Sequence, residues 1–368
     1  MTKTKKILCL MLLLICVSVM IIFPMKKTQT HAVSSCAKGM CLIEQETGRI
    51  IYSKNENERL PMASTTKVVT AITVIENCDD LDEEIIVNNK AIGVEGTSIY
   101  LRKDEEISVR DLLYGLMLRS GNDAATALAC HVGGTIENFA KMMNDTAKKV
   151  GANNSNFTNP HGLDDKNHYT SAHDLAKITA YALNNPTFKE IVSTKNHVIE
   201  ATNKSDKRYL TNKNKLLSNL EGCCGVKTGF TSRAGRCLVS AAERNGMTLV
   251  CVVLNCGPMF EESSSMINSA FETYKKVKLI DENIAIEDEK IGNKEYKQLY
   301  MYPEEDFNMI LSDNELKDIK IEYNYNVDNA TLGAVVGEIK IFLKKDLIKT
   351  VKLITMNKID KMIEADLL

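Results

Sequence analysis

The sequence predicts an α+β fold: an antiparallel sheet flanked by helices, with a helical subdomain, followed by a small C-terminal all-β domain. Three observations carry this. Short apolar strands stand at both ends of the first 280 or so residues, a block of helical periodicity separates them, and beyond that point the pattern changes to short alternating stretches. Strand pair, helical block, strand trio and helix in that order imply one sheet assembled from both ends of a segment.

In order, Met40-Cys41-Leu42-Ile43 and Ile50-Ile51-Tyr52 read as strands about a turn at Glu46-Thr47-Gly48. Pro61-Met62-Ala63 leads to Ser64, and the run holding Val68, Val69, Ile72, Val74 and Ile75 is too uniformly apolar for a surface helix. It predicts a central, buried helix starting near Ser64. Helical patterns follow over residues 109–118, 124–131, 136–150 and 171–183, and strands over 225–230, 236–243 and 248–255. The last two strands are joined by the hairpin turn Arg244-Asn245-Gly246, and a final helix is predicted over 264–277. Residues 319–325 and 337–343 then alternate apolar and polar, with turn residues at Asp328-Asn329 and Lys344-Lys345-Asp346. The expected division is 1–32 as a signal peptide or N-terminal anchor, 33–280 as the main domain and 281–368 as a small β-rich domain. The tail over 359–368 suffices for only a short amphipathic helix.

Lys3, Lys5 and Lys6 precede an apolar run from Ile7 to Phe23, the pattern of an export signal, and Thr30-His31-Ala32 places small residues where cleavage after Ala32 is expected. The run is barely long enough to span a bilayer, so an uncleaved anchor is the alternative and the only membrane contact expected. Cys36 lies too far past the run to serve as a lipid anchor. Lys plus Arg number 46 against 48 Asp plus Glu, a net charge of -2. No field gathers polyanions, and nucleic-acid binding is excluded.

Of 11 cysteines, Cys9 and Cys16 fall in the signal, leaving an odd number in a chain too large to need staples. They are expected to be small buried hydrophobes rather than a disulfide framework. Cys223-Cys224 are adjacent, and Cys251 and Cys256 have no His nearby, so no zinc spacing exists and no metal or cofactor is expected. The acidic run over 79–84 reads as a solvated loop.

Three short motifs carry chemistry. Ser64-Thr65-Thr66-Lys67 sets Ser and Lys three apart on one helical face, where an amine reaches a hydroxyl. Lysine is a base only if its pKa is lowered by burial and by a second cation. Ser120-Gly121-Asn122, in a loop between helices, can present a hydroxyl and an amide to a cleft. Lys227-Thr228-Gly229, on a strand, supplies a second cation, a hydroxyl for a substrate carboxylate and a bare surface along which a peptide can lie. Each is common by chance. Together, in this order and context, they resemble penicillin-binding proteins and class A β-lactamases.

With Gly121 in the middle motif, the chain resembles the D-alanyl-D-alanine carboxypeptidases among the low-molecular-mass penicillin-binding proteins. Further segments that look like this family are Asn159-Pro160-His161-Gly162-Leu163, Tyr169-Thr170-Ser171-Ala172-His173-Asp174-Leu175 and Gly225-Val226-Lys227-Thr228-Gly229-Phe230-Thr231. The likeness covers about residues 36–280 and implies a β-lactamase/DD-peptidase-like fold. It implies that Ser64 is acylated, Lys67 acts as base, Ser120 and Asn122 assist, and Lys227, Thr228 and Gly229 bind substrate. Backbone N–H groups of Ser64 and Phe230 would form the oxyanion hole. The implied partners are peptidoglycan stem peptides, with β-lactam antibiotics as inhibitors.

The chain departs from the family where relatives carry an arginine for the terminal carboxylate: residues 255–262 contain none, and Lys213 stands where another is expected. A catalytically weak penicillin-binding sensor is therefore an alternative. A β-lactamase is a lesser one, because no Glu lies between Glu137 and Glu190 to activate water. His161 and His173 read as structural rather than as members of a Ser-His-Asp site.

Overall fold

The computed structural model describes residues 31–32, 35–286, 299–327 and 330–357. Residues 1–30 of the leader expected over 1–32, the Asp328-Asn329 turn and the tail over 359–368 lie outside the described residues.

The main sheet begins with β1 (His31–Ala32), β2 (Gly39–Glu44) and β3 (Ile50–Lys54). After it come a helical turn over Ala63–Thr66 and helix α1 (Lys67–Asn77), the pair β4 (Glu84–Ile86) and β5 (Glu106–Ser108), α2 (Val109–Tyr114), α3 (Asn122–Gly133), α4 (Ile136–Lys149), α5 (Ala172–Leu183) and α6 (Pro186–Ser193). A hairpin, β6 (Asn196–Ile199) and β7 (Arg208–Thr211), and the short α7 (Leu216–Asn219) lead to β8 (Cys223–Thr231), β9 (Gly235–Arg244) and β10 (Met247–Leu254). The six-stranded order is β1-β3-β2-β10-β9-β8, so the early strands form one half of the sheet and the late strands the other, assembled from both ends of the segment as predicted. Their junction is the antiparallel pairing of β2 with β10, from Glu44 opposite Leu249 to Gly39 opposite Leu254.

Every residue of β2 is buried, because α5 covers one face of the sheet and α8 (Met259–Thr273) the other. A strand covered on both sides reads as a continuous apolar run, as Met40 to Ile43 do. All residues from Lys67 to Val74 of α1 are buried, since α3, α4 and α5 pack around it. Asn245 and Gly246 both take positive φ, 51° and 71°, which makes the β9–β10 turn the tight hairpin expected.

One expectation needs correction. The last helix of this block covers Met259–Thr273, not 264–277; from Tyr274 the chain becomes β11 (Tyr274–Ile280), paired with β13 (Phe307–Ser312). The pairing runs from Tyr274 opposite Ser312 to Ile280 opposite Phe307, with the buried Tyr274 and Ile280 at its two ends. The β6–β7 hairpin and α6 carried weak apolar signals and were not predicted.

The C-terminal region adds β12 (Leu299–Pro303), α9 (Asp313–Lys317), β14 (Ile319–Tyr325), β15 (Val335–Leu343) and β16 (Asp346–Asn357), with sheet order β12-β16-β15-β14. Its own core gathers Met301, Ile339, Ile341, Val351 and Leu353. The alternation predicted over 319–325 and 337–343 is thus that of half-buried strands. Arg49, in the β2–β3 turn, bonds to the Ile310 carbonyl and pairs with Glu315, joining this region to the main sheet.

Candidate active site

Ser64 sits in the helical turn that opens α1, directly after Ala63, whose φ of 49° is left-handed and unusual for a residue with a Cβ. Lys67 Nζ lies 3.1 Å from Ser64 Oγ, 2.6 Å from Asn122 Oδ1 and 2.6 Å from the His161 carbonyl oxygen. The lysine is fully buried. Burial above all, then the charges of Lys227 and Lys213, holds its pKa well below the usual 10.5; Asp123 pulls the other way. Both conditions for a basic amine, desolvation and a neighbouring cation, are met.

Ser120 caps the helical segment after α2 in the left-handed region, with φ 65°, and is buried. Asn122 starts α3 and is locked by its N–H to the Thr97 carbonyl and its Nδ2 to the Glu95 carbonyl, both 2.6 Å. Asp123 next to it accepts from the N–H groups of Ile99 (3.1 Å) and Leu101 (3.0 Å). That fixes the segment bearing Thr97 against the same cleft.

Lys227 is buried on edge strand β8 and donates to the Thr228 carbonyl at 2.9 Å. Burial, then Lys213, lowers its pKa to about 7. Gly229 shows why this position carries no side chain: an added Cβ would stand 3.0 Å from the Met62 carbonyl and from the Ser64 and Thr65 nitrogens. The strand therefore lies directly on the serine turn, and Phe230, the next residue, lines the same cleft as Ser64. A cleft of about 500 Å3 is lined by Ser64, Thr97, Ser120, Thr228, Arg236 and Phe260. Lys213, Lys215 and Gly229 line it too.

The predicted site residues thus converge from three separated segments. Sequence reasoning missed the part played by the loop at Asn159–Leu163. The His161 carbonyl faces both Lys67 and Ser64, the latter at 3.5 Å, and Thr70 Oγ1 donates to the Pro160 carbonyl at 2.7 Å. Gly162 has φ +88°, and a Cβ there would fall 2.0 Å from the Ala63 carbonyl oxygen. Only the Gly in the motif hinted at so close an approach. The His161 ring belongs to the framework, as does His168, whose Nδ1 accepts from Thr158 N–H at 3.0 Å while Nε2 lies 2.8 Å from Thr66 Oγ1. His173 is remote from this network and bonds through its N–H to the Glu56 carbonyl. Arg236, on β9 opposite Phe230, was also missed; it places a guanidinium on the cleft wall, although residues 255–262 contribute none.

A Ser–Lys pair at the foot of a buried helix, faced by an edge strand carrying a second buried lysine, defines a serine acyl-transfer class shared by penicillin-binding proteins. A family profile described as D-alanyl-D-alanine carboxypeptidase matches residues 26–257, and one described as penicillin-binding protein 5, C-terminal domain, matches residues 274–361. The chain belongs to the D-alanyl-D-alanine carboxypeptidase family. It is 32% identical over 329 residues to the D-alanyl-D-alanine carboxypeptidase DacF of Bacillus subtilis, covering 86% of this chain and 84% of that one. It is 29% identical to DacC of Escherichia coli, covering 90% and 86%. Among solved structures, penicillin binding protein 5 of Haemophilus influenzae superposes with a TM-score of 0.72 at 27% identity, covering 88% of this chain and 98% of that one.

Proposed function

We propose that this D-Ala-D-Ala carboxypeptidase removes the terminal D-Ala of peptidoglycan stem peptides through an acyl-enzyme on Ser64. The observation that carries the reading is the 3.1 Å approach of a buried Lys67 to Ser64 Oγ. The neutral amine takes the Ser64 proton as Oγ attacks the carbonyl between the two D-Ala residues. The negative charge on that oxygen falls to the N–H groups of Ser64 and Phe230. The C–N bond then breaks, the leaving amine gains a proton from the Lys67–Ser120 side, and water hydrolyses the ester. Asn122 orients Lys67, and Lys227, Thr228 and Gly229 hold the peptide along β8.

The substrate ends in a carboxylate, and Lys213, Lys215 and Arg236 are the cleft cations available to it besides Lys227. Residues 33–280 form the peptidase domain in this reading and 281–368 an appended β domain. Action on peptidoglycan places the protein outside the cytoplasm, exported by its N-terminal segment, with β-lactams acylating the same serine and with a role in cell wall and cell shape. Mass spectrometry after incubation with penicillin, and separately with diacetyl-Lys-D-Ala-D-Ala, tests this against Ser64→Ala. A long-lived penicilloyl adduct on Ser64 with D-Ala release is the expected result. An adduct without D-Ala release favours the sensor, and rapid release of hydrolysed penicillin favours a β-lactamase.

A further inference from the structure

Cys36 and Cys256 stand 220 positions apart in sequence with their sulfurs 2.8 Å apart. Their backbones are placed independently of that contact. Lys38 N–H donates to the Leu254 and Asn255 carbonyls at 3.0 and 3.2 Å, extending the β2–β10 ladder, and Cys256 N–H donates to the Arg236 carbonyl at 2.8 Å. Continuing that antiparallel register sets Cys256 beside residues 36 and 37, within the reach of a disulfide. Cys36 is exposed and Cys256 fully buried, so an oxidant meets Cys36 first.

We propose that Cys36 and Cys256 form a disulfide that staples the start of the peptidase domain to the loop between β10 and α8. The biological part of this rests on the exported reading above, because disulfides persist outside the cytosol. A metal is the competing use of the cluster, since Glu262 stands by. Two thiolates on one zinc keep their sulfurs about 3.8 Å apart, given 2.3 Å bonds at a tetrahedral angle. The sulfurs here are closer than that, and Glu262 Oε2 is 3.7 Å from Cys36 Sγ.

Oxidation proceeds by exchange with an external disulfide such as oxidised glutathione. The Cys36 thiolate attacks it, forming a mixed disulfide and expelling one thiol; the Cys256 sulfur then attacks the Cys36 sulfur, and its proton passes to the second departing thiolate. Two cysteine thiols are oxidised and one external disulfide is reduced. Burial, then the hydrogen bond with Cys36, raises the Cys256 thiol pKa, so the second step quickens as pH rises. The link steadies a wall of the cleft, because Arg236, Met259 and Phe260 line it and all lie on the segments joined at Cys256.

The full chain is incubated with oxidised glutathione, alkylated and digested without reduction, beside Cys36→Ser and Cys256→Ser. The expected result is a cross-linked peptide pair containing Cys36 and Cys256, absent from Cys36→Ser. A Tm about 5 °C or more above that of the reduced protein should accompany it. Recovery of Cys36 only as a glutathione adduct, or linked elsewhere, overturns the proposal. So does stoichiometric zinc on the reduced protein that blocks the link. Penicillin acylation of Ser64, followed in parallel, separates failure here from failure of the peptidase reading.

Discussion

Lys67 and Lys227 are both buried; burial and then the charge of Lys227 lower the Lys67 pKa, and burial and then Lys213 lower that of Lys227. For Lys227, the folded pKa of about 7 lies below the ordinary 10.5. Between these values the unfolded chain binds more protons than the folded one, so this residue makes stability rise with pH across that window and penalises the fold below it. Lys227→Met is therefore expected to raise stability at pH 7 by about 1 to 2 kcal/mol while penicillin acylation falls at least about 100-fold. Thermal denaturation and adduct formation measure both, and a less stable variant would refute the charge argument. Lys67→Ala should lower acylation by about 10²–10⁴-fold. In the parent protein the acylation rate should rise with pH through a titration well below 10.5, reflecting the lowered Lys67 pKa. A rate flat in pH over the range from 5 to 9 or so would remove Lys67 as the base.

At the level of elements, the site depends on backbone surfaces pressed together without side chains between them. Gly162 bears on Ala63, and Gly229 on the Ser64 turn. Gly162→Ala adds a 2.0 Å contact at a φ of +88°, and should cost about 3 kcal/mol or more and disable acylation by shifting the His161 carbonyl. Gly246→Ala provides the comparison: its φ of +71° is similar, but nothing lies within 4 Å of the added Cβ, so about 1 kcal/mol and unchanged acylation are expected. Chemical denaturation of the two variants distinguishes crowding from backbone preference. Equal losses would show that crowding at Ala63 contributes nothing.

Across the molecule, two features hold distant segments together. His168 bridges Thr66, beside the serine, to Thr158, and burial lowers its pKa to about 4, while burial and then Lys67 lower that of His161 to about 3. Both lie below the ordinary 6.5, so the unfolded chain takes up protons that the folded one refuses; stability is lost as pH falls from about 6.5 toward 4. The slope of Tm against pH over this range should flatten in His168→Gln, and an unchanged slope would exclude the residue as a source. Arg49 joins the main sheet to the C-terminal region through Ile310 and Glu315, with both side chains largely buried. Arg49→Ala should cost about 1 to 3 kcal/mol, read by urea denaturation, with little change in Ser64 acylation.

Much of this was legible in the chain. Continuous apolar runs marked β2 and α1 because burial on all sides leaves that signature, and the three short motifs singled out Ser64, Lys67, Ser120, Asn122 and Lys227 as candidates because the proposed chemistry constrains residue type. The end of α8 was misplaced because Tyr274 and Val277 suit helix and strand alike, and pairing with β13 decides between them. The His161 carbonyl, the Arg236 side chain and the Cys36–Cys256 contact left no comparable mark. A carbonyl has no residue type, and a lone Arg or Cys gains meaning from its neighbours in space. The sequence alone singled out the groups proposed to do the chemistry and the order of most of the strands and helices that bear them. Tertiary structure decided how buried the lysines are, which backbone atoms face them and which distant segments meet, because desolvation and contact belong to the packed chain.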